Sequence, residues 1–207
     1  GWAFKLLPLA EAMAIIFLTP LIVLVFARPL LGERVTRLGW ALTILGFLGV
    51  LVVMRPGGDL NSWGVVFASL CALCASGYHL TTRFLKEESS ISLLFYVTLV
   101  GTFFFIGFAS PHIAQINPSI PDLGGMTLVA VLSIGSHFLF GLAYQQAPAS
   151  LIAPVAYVHL IWAVFVGWAV FGDFPTLLSL FGIAIILISG VGVAIMGHLH
   201  KNKFGTK

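Results

Sequence analysis

The sequence predicts an all-α integral membrane protein of about seven transmembrane helices, and three observations carry that reading. Hydrophobic residues fill 59% of the 207 positions and charged residues only 8%, with a mean hydropathy of +1.08. Soluble domains carry about 25% charged residues, so this chain lacks the charges to cover a water-facing globule. Its apolar runs are about 20 residues long, the length of a bilayer-crossing helix and about twice that of a barrel strand. Finally, residues 4–40 and 144–180 are two copies of one pattern, with Pro8 on Pro148, Gly32 on Gly172, Glu33 on Asp173 and Thr36 on Thr176. A one-residue slip further on sets Gly49-Val50 on Gly190-Val191.

The seven spans follow from the apolar runs and their breakers. The first covers about 8–29, opened by Pro8 at a position where a helix tolerates proline. Pro20 inside it cannot donate to the carbonyl of Ile16, so a kink is expected there. GERVTR separates it from the second span, about 38–54, and RPGGDLNS separates that from the third, about 62–83. RFLKEESS leads to the fourth, about 91–110. The long SPHIAQINPSIPDLGG connection leads to the fifth, about 125–146. QQAPAS and GDFP bound the sixth, about 149–171, where Pro154 perturbs the first turns; the seventh covers about 177–197. The two repeat copies are five crossings apart. Five is odd, so the second runs through the membrane in the opposite direction, an inverted-topology repeat of the kind found in secondary transporters.

Lys and Arg set the orientation. Arg28, Arg34, Arg37, Arg83, Lys86, Lys201, Lys203 and Lys207 fall on one side and only Lys5 and Arg55 on the other. The C-terminus is therefore expected in the cytoplasm and the 111–124 loop outside. The net charge of +3 and pI near 9.1 express this bias. There is no basic patch with interleaved aromatics, and nucleic acid is not an expected partner. The chain opens with Gly-Trp-Ala, without the basic n-region or cleavage site of a signal peptide. The second repeat holds five spans and the first only two, so the repeat begins mid-unit. A ten-span parent is expected, of which three spans would precede Gly1.

LPLAEAMAIIFLTPLIVLVFARPLLGERVTRLGWALTILGFLGVLVVMRPGG resembles the EamA family of the drug/metabolite transporter superfamily. So do YHLTTRFLKEE and HFLFGLAYQQAPASLIAPVAYVHLIWAVFVGWAVFGD, and the P…P…GE, GxxGV and APAS…FGD patterns occur in order. The resemblance implies the C-terminal part of a ten-helix (5+5) inverted-repeat transporter fold. Residues 1–57 would be the last two helices of the first repeat, 58–200 a complete second repeat and 201–207 a cytoplasmic tail. It implies a secondary carrier for a small metabolite, amino acid, vitamin or drug in the bacterial-type inner membrane. The family's central cavity is shared by both halves, so part of its wall would lie outside this chain. The alternatives are a non-transporting membrane subunit or fragment and a membrane-embedded enzyme. An enzyme would need a nucleophile–base set, HExxH or an acidic metal cluster, none of which is found, and no P-loop appears.

Polar groups at mid-bilayer are expensive and mark sites or inter-helical bonds. His137 lies mid-way along the fifth span, with Ser133, Gly141 and Tyr144 on one helical stripe. His159 lies mid-way along the sixth with Trp162 on its face, and Thr19-Pro20 is its counterpart in the first copy. These residues are the candidate substrate layer; the competing reading is inter-helical hydrogen bonding with no ligand. Pro20's freed carbonyl either receives a substrate donor or is met by a neighbouring Ser or Thr. Glu11, the one carboxylate within a span, is a candidate proton-coupling site or simply a carboxylate at a helix N-terminus. Glu33 and Asp173 read as loop or capping residues. Cys71 and Cys74 form CxxC inside an apolar span and read as small packing residues. No metal or cofactor is expected, and the oligomeric state, monomer or dimer, is left open.

Overall fold

A computed structural model describes residues 2–7, 9–55, 61–113, 119–171 and 176–204. Every regular element among them is helical. They are α1 (Trp2–Leu6), α2 (Leu9–Ile16), α3 (Thr19–Leu31), α4 (Arg37–Met54), α5 (Ser62–Phe84), α6 (Ser90–Ile113) and α7 (Ile120–Gln146). α8 (Ala149–Ile152), a 3-10 segment (Ala153–Tyr157), α9 (Val158–Phe171) and α10 (Leu177–Phe204) follow. Among the described residues, seven stretches are long and apolar enough to cross a membrane, from Ala12–Leu31 to Leu177–Met196.

The boundaries differ from expectation where local chemistry decides them. The first span is interrupted at the expected kink for two residues only: α2 ends at Ile16, Phe17 and Leu18 form a turn, and α3 starts at Thr19. The sixth is divided by the 3-10 segment. α7 starts at Ile120, before the expected 125, because Ser119 and Asp122 form a reciprocal cap. The Ser119 amide donates to the Asp122 carboxylate at 3.0 Å and the Asp122 amide to Ser119 Oγ at 3.4 Å.

The chain forms two compact units, residues 1–81 with 147–207, and residues 82–146.

In the first unit α4 and α10 run antiparallel. Thr36 Oγ1 meets Met196 Sδ at 3.2 Å, Ser189 Oγ donates to the Leu42 carbonyl at 2.7 Å, and Arg55 donates to Thr176 Oγ1 at 2.5 Å. Small residues let the backbones meet. A Cβ on Gly49 would sit 2.9 Å from the Gly182 carbonyl oxygen, and one on Gly182 would sit 2.9 Å from that of Gly49. Thr36 caps α4 by accepting the Gly39 amide at 3.0 Å, and its repeat counterpart Thr176 accepts the Ser179 amide at 3.3 Å. The end contacts obey the repeat: offsets of 140 and 141 residues carry Thr36–Met196 into Thr176–Arg55.

α5 packs through a stripe of Gly64, Ala68, Ala72, Ser76 and Leu80, buried at every fourth residue. Cys71 and Cys74 lie off that stripe and are exposed, which corrects their reading as packing residues. In the second unit, α6 and α7 are apolar over most of their surface, with Ser133, Ser136 and His137 as polar exceptions on α7.

Candidate functional site

Two broken helices cross in the first unit, and their breaks fall at matching places in the two sequence copies. In the first, Pro20 brings no N–H to Ile16, and the backbone turns at Phe17-Leu18. The Thr19 hydroxyl donates to the freed Ile16 carbonyl at 2.7 Å and lies 3.4 Å from the Ala72 carbonyl. Ser76 Oγ donates to the Ala72 carbonyl at 2.7 Å and lies 3.3 Å from the Thr19 carbonyl. Of the two fates open to the freed carbonyl, the structure takes the second: a neighbouring threonine meets it. In the second copy, Pro154 lacks an N–H toward the preceding turn, and Ala153–Tyr157 tightens into a 3-10 helix. An offset of 140 residues carries 13–17 onto 153–157.

Phe17 and Tyr157 are therefore repeat counterparts, and they touch: their ring centroids lie 6.3 Å apart at 51°. They share a buried cluster with Val50, Leu160 and Ile186. Gly46 makes room for the tyrosine ring, since a Cβ there would come within 2.6 Å of Tyr157 Cδ2 and 2.7 Å of Ser189 Oγ. Tyr157 is 1% exposed, and its hydroxyl has no hydrogen-bond partner among the described residues. Sequence reasoning passed over this pair. The signal available was an aromatic at equal positions in both copies, one of them carrying a hydroxyl.

The expected site residues are placed as follows. Thr19 and Pro20 are buried at the first break. His159 and Trp162 lie on α9 on either side of buried Leu160, and both are exposed, Trp162 at 64%. Thr19, Pro20, His159 and Trp162 belong to the first unit; Ser133, His137 and Tyr144 belong to the second. Along the α7 stripe, Ser133 and His137 are exposed while Gly141 and Tyr144 are buried, the tyrosine ring 5.2 Å from Phe140. Glu11 lies in α2, but its side chain is outside the described residues. No group of three or more His, Cys, Asp or Glu that could hold a metal ion occurs among the described residues.

Glu33 is a capping residue, though for a helix far along the chain. Gly32 adopts φ +67°, a conformation glycine takes without strain, and ends α3 with its amide 3.0 Å from the Arg28 carbonyl. The reversed chain sends the Glu33 carboxylate to the start of α8, where it accepts the amides of Ala149 and Ser150 at 2.9 and 3.0 Å. Beside this clasp is a pocket of about 150 Å³ lined by Glu33, Arg34, Thr36, Pro148, Ser150 and Met196 among others. Its position joins the two sequence copies at the end of the helices rich in arginine.

In the second unit Arg83 fastens the end of α7. Its guanidinium donates to the carbonyls of Tyr144 and Gln145 at 3.3 and 2.8 Å, where α7 ends and its carbonyls lack helical donors. The Gln145 side chain bonds Ser90 and the Glu88 carbonyl, tying the same end to the start of α6.

The chain matches the EamA-like transporter family over residues 2–55 and 62–195. It is 29% identical to the S-adenosylmethionine uptake transporter of Rickettsia conorii, over 90% of this chain and 64% of that protein. It is 30% identical to the riboflavin transporter of Rhizobium johnstonii, over 87% of this chain and 60% of the relative. The pseudopaline exporter CntI of Pseudomonas aeruginosa is 23% identical over 93% of this chain and 68% of its own length. The chain thus spans less than two thirds of the first two. One crystal structure, 20% identical, superposes with a TM-score of 0.76 over 94% of this chain and 71% of that one, a likeness of fold.

Proposed function

This chain belongs to the EamA-like transporter family, and from that premise we propose that it serves a secondary carrier that moves a small organic metabolite by alternating access. Family and relatives are transporters, not enzymes, and the chain is a multi-pass membrane protein. The observation that carries the reading is the pair of matched helix breaks, Phe17-Leu18 and Ala153–Tyr157, crossing inside one unit. Discontinuous helices at a repeat interface are where such carriers hold their substrates.

The proposed substrate layer is Thr19, Pro20, Ser133, His137, Tyr144, His159 and Trp162, with Glu11 as the proton-coupling carboxylate. Of these, His159, Trp162, Ser133 and His137 are exposed, and Thr19, Pro20 and Tyr144 are buried. Residues 1–57 are the last two helices of the first repeat, 58–200 the complete second repeat of five helices, and 201–207 the cytoplasmic tail. The eight-to-two split of Lys and Arg supports an inner-membrane protein with a cytoplasmic C-terminus. The solute is an amino acid, vitamin, nucleoside-bearing metabolite or drug; the relatives' names span uptake and export, so direction follows from neither.

The test is transport of radiolabelled S-adenosylmethionine, riboflavin and a panel of amino acids by cells expressing the protein, with His159→Ala and His137→Ala beside it. Transport should fall at least tenfold in the variants while membrane abundance stays within about 20% of the parent. Normal transport at normal abundance removes the histidines from the site. Loss of abundance in proportion to activity assigns them to packing.

A further inference from the structure

The two breaks are repeat counterparts, yet the aromatic pair that joins them is chemically uneven. Phe17 asks for nothing beyond packing. Tyr157 carries a hydroxyl that is buried and has no partner, in a cluster whose other rings and branched chains are apolar. A buried donor without an acceptor is a standing penalty on the state that contains it. Proteins tolerate such groups where another state satisfies them. Ser189 Oγ, beside the ring at Gly46, donates to the Leu42 carbonyl at 2.7 Å, and among the described residues nothing accepts from the Tyr157 hydroxyl.

We propose that the Tyr157 hydroxyl is a working group of the transport cycle: it lacks an acceptor in the present state and gains one when the crossing of broken helices rearranges. This rests on the alternating-access reading above. In an inverted repeat, exchanging the conformations of the two copies produces the state open to the other side, so Phe17 and Tyr157 exchange surroundings. Only the tyrosine gains a hydrogen bond from the exchange. The acceptors lie close in the chain, in the backbone carbonyls of two segments that prolines have already taken out of regular helix. The present state is the one with the Glu33 clasp closed on Ala149 and Ser150. The Tyr157 hydroxyl therefore biases the protein toward clasp opening.

The clasp supplies the reporter. Ser150 is 7% exposed and its amide is held by Glu33. A Ser150→Cys substitution, with exposed Cys71 and Cys74 changed to serine, becomes reactive to an impermeant maleimide only when the clasp opens. Labelling is followed in inside-out vesicles with no solute added, in that background and in the same background with Tyr157→Phe. Tyr157→Phe keeps the ring and the packing and removes the penalty from the closed state. The labelling rate should fall on the order of tenfold, the ratio expected for one unsatisfied buried hydroxyl. A rate within twofold of the parent overturns the proposal, including the case where thermal stability rises but labelling does not change, which is what a merely structural hydroxyl gives. If the background itself does not label over hours, the clasp does not open and the alternating-access reading fails with it. Labelling of the background with no response to Tyr157→Phe defeats the tyrosine proposal alone.

Discussion

Gly182→Ala should destabilise the protein although it removes a glycine from the middle of a transmembrane helix. Replacing a helical glycine by alanine ordinarily gains about 1 kcal/mol. Gly77 on α5 offers that ordinary case, with nothing within 4 Å of an added Cβ. At Gly182 the added carbon would lie 2.7 Å from Val53 Cγ2 and 2.9 Å from the Gly49 carbonyl oxygen. The first neighbour is a β-branched side chain with little freedom at χ1, and the second is backbone. Neither gives way unless α4 and α10 move apart. Overpacking of this kind costs about 1–3 kcal/mol. A gap of about 0.5 Å along the seam also forfeits roughly a quarter of the dispersion energy at each contact. The propensity term is common to both variants, so Gly77→Ala should be more stable than Gly182→Ala by about 1–3 kcal/mol. Unfolding by SDS in mixed micelles, followed by tryptophan fluorescence, measures the difference. Equal stabilities for the two variants would refute the claim that α4 and α10 meet backbone to backbone.

Two more expectations follow from single contacts. Glu33→Ala removes the acceptor of the Ala149 and Ser150 amides, two charge-assisted bonds, and should cost roughly 2–4 kcal/mol, with Glu33→Gln, which keeps one acceptor, near half of that; the same SDS titration reads it, and an unchanged Glu33→Ala would break the clasp assignment. Thr19→Val deletes the donor to the Ile16 carbonyl and leaves that oxygen without its 2.7 Å partner, so it should lose about 1–3 kcal/mol while Thr19→Ser does not; a valine variant as stable as the serine variant would mean another group already serves the carbonyl.

Much of the fold was legible because bilayer physics leaves few choices. A chain this apolar must satisfy its backbone within helices, and the breakers between runs mark where those helices end. Pro20 announced a disturbance, but the sequence could not say which group would serve the Ile16 carbonyl, which Thr19 does. Pro154 was read as disturbing the first turns of its span, and the structure places a 3-10 segment, Ala153–Tyr157, around it. The Cys71-Cys74 reading missed because a packing stripe on α5 is set by its partners, and only the contacts with Leu7 and Thr19 choose Gly64, Ala68, Ala72 and Ser76. Glu33 was recognised as a cap from its residue type and position after the helix. Its target lies 116 residues away and is invisible to local rules. Tyr157 went unnoticed because an aromatic in an apolar run reads as bulk until its hydroxyl is seen to lack company.

The seam between α4 and α10 has two ends that began as one. The offset that turns Thr36–Met196 into Thr176–Arg55 means each end is a copy of the other, as at an isologous interface between separate subunits. Two separate copies would be bound to keep those ends identical, because every substitution would appear at both. A single chain is free of that bond, and here the ends have drifted apart. One is fastened by a guanidinium on a hydroxyl at 2.5 Å, the other by a hydroxyl resting on a thioether at 3.2 Å. Thioether sulfur is a weak acceptor, so the zipper has a strong tooth and a weak one. The weak tooth is at Met196, beside the pocket that Glu33 lines, and the strong one at Arg55. Fusion of the two copies thus turned a symmetric joint into one with unequal ends.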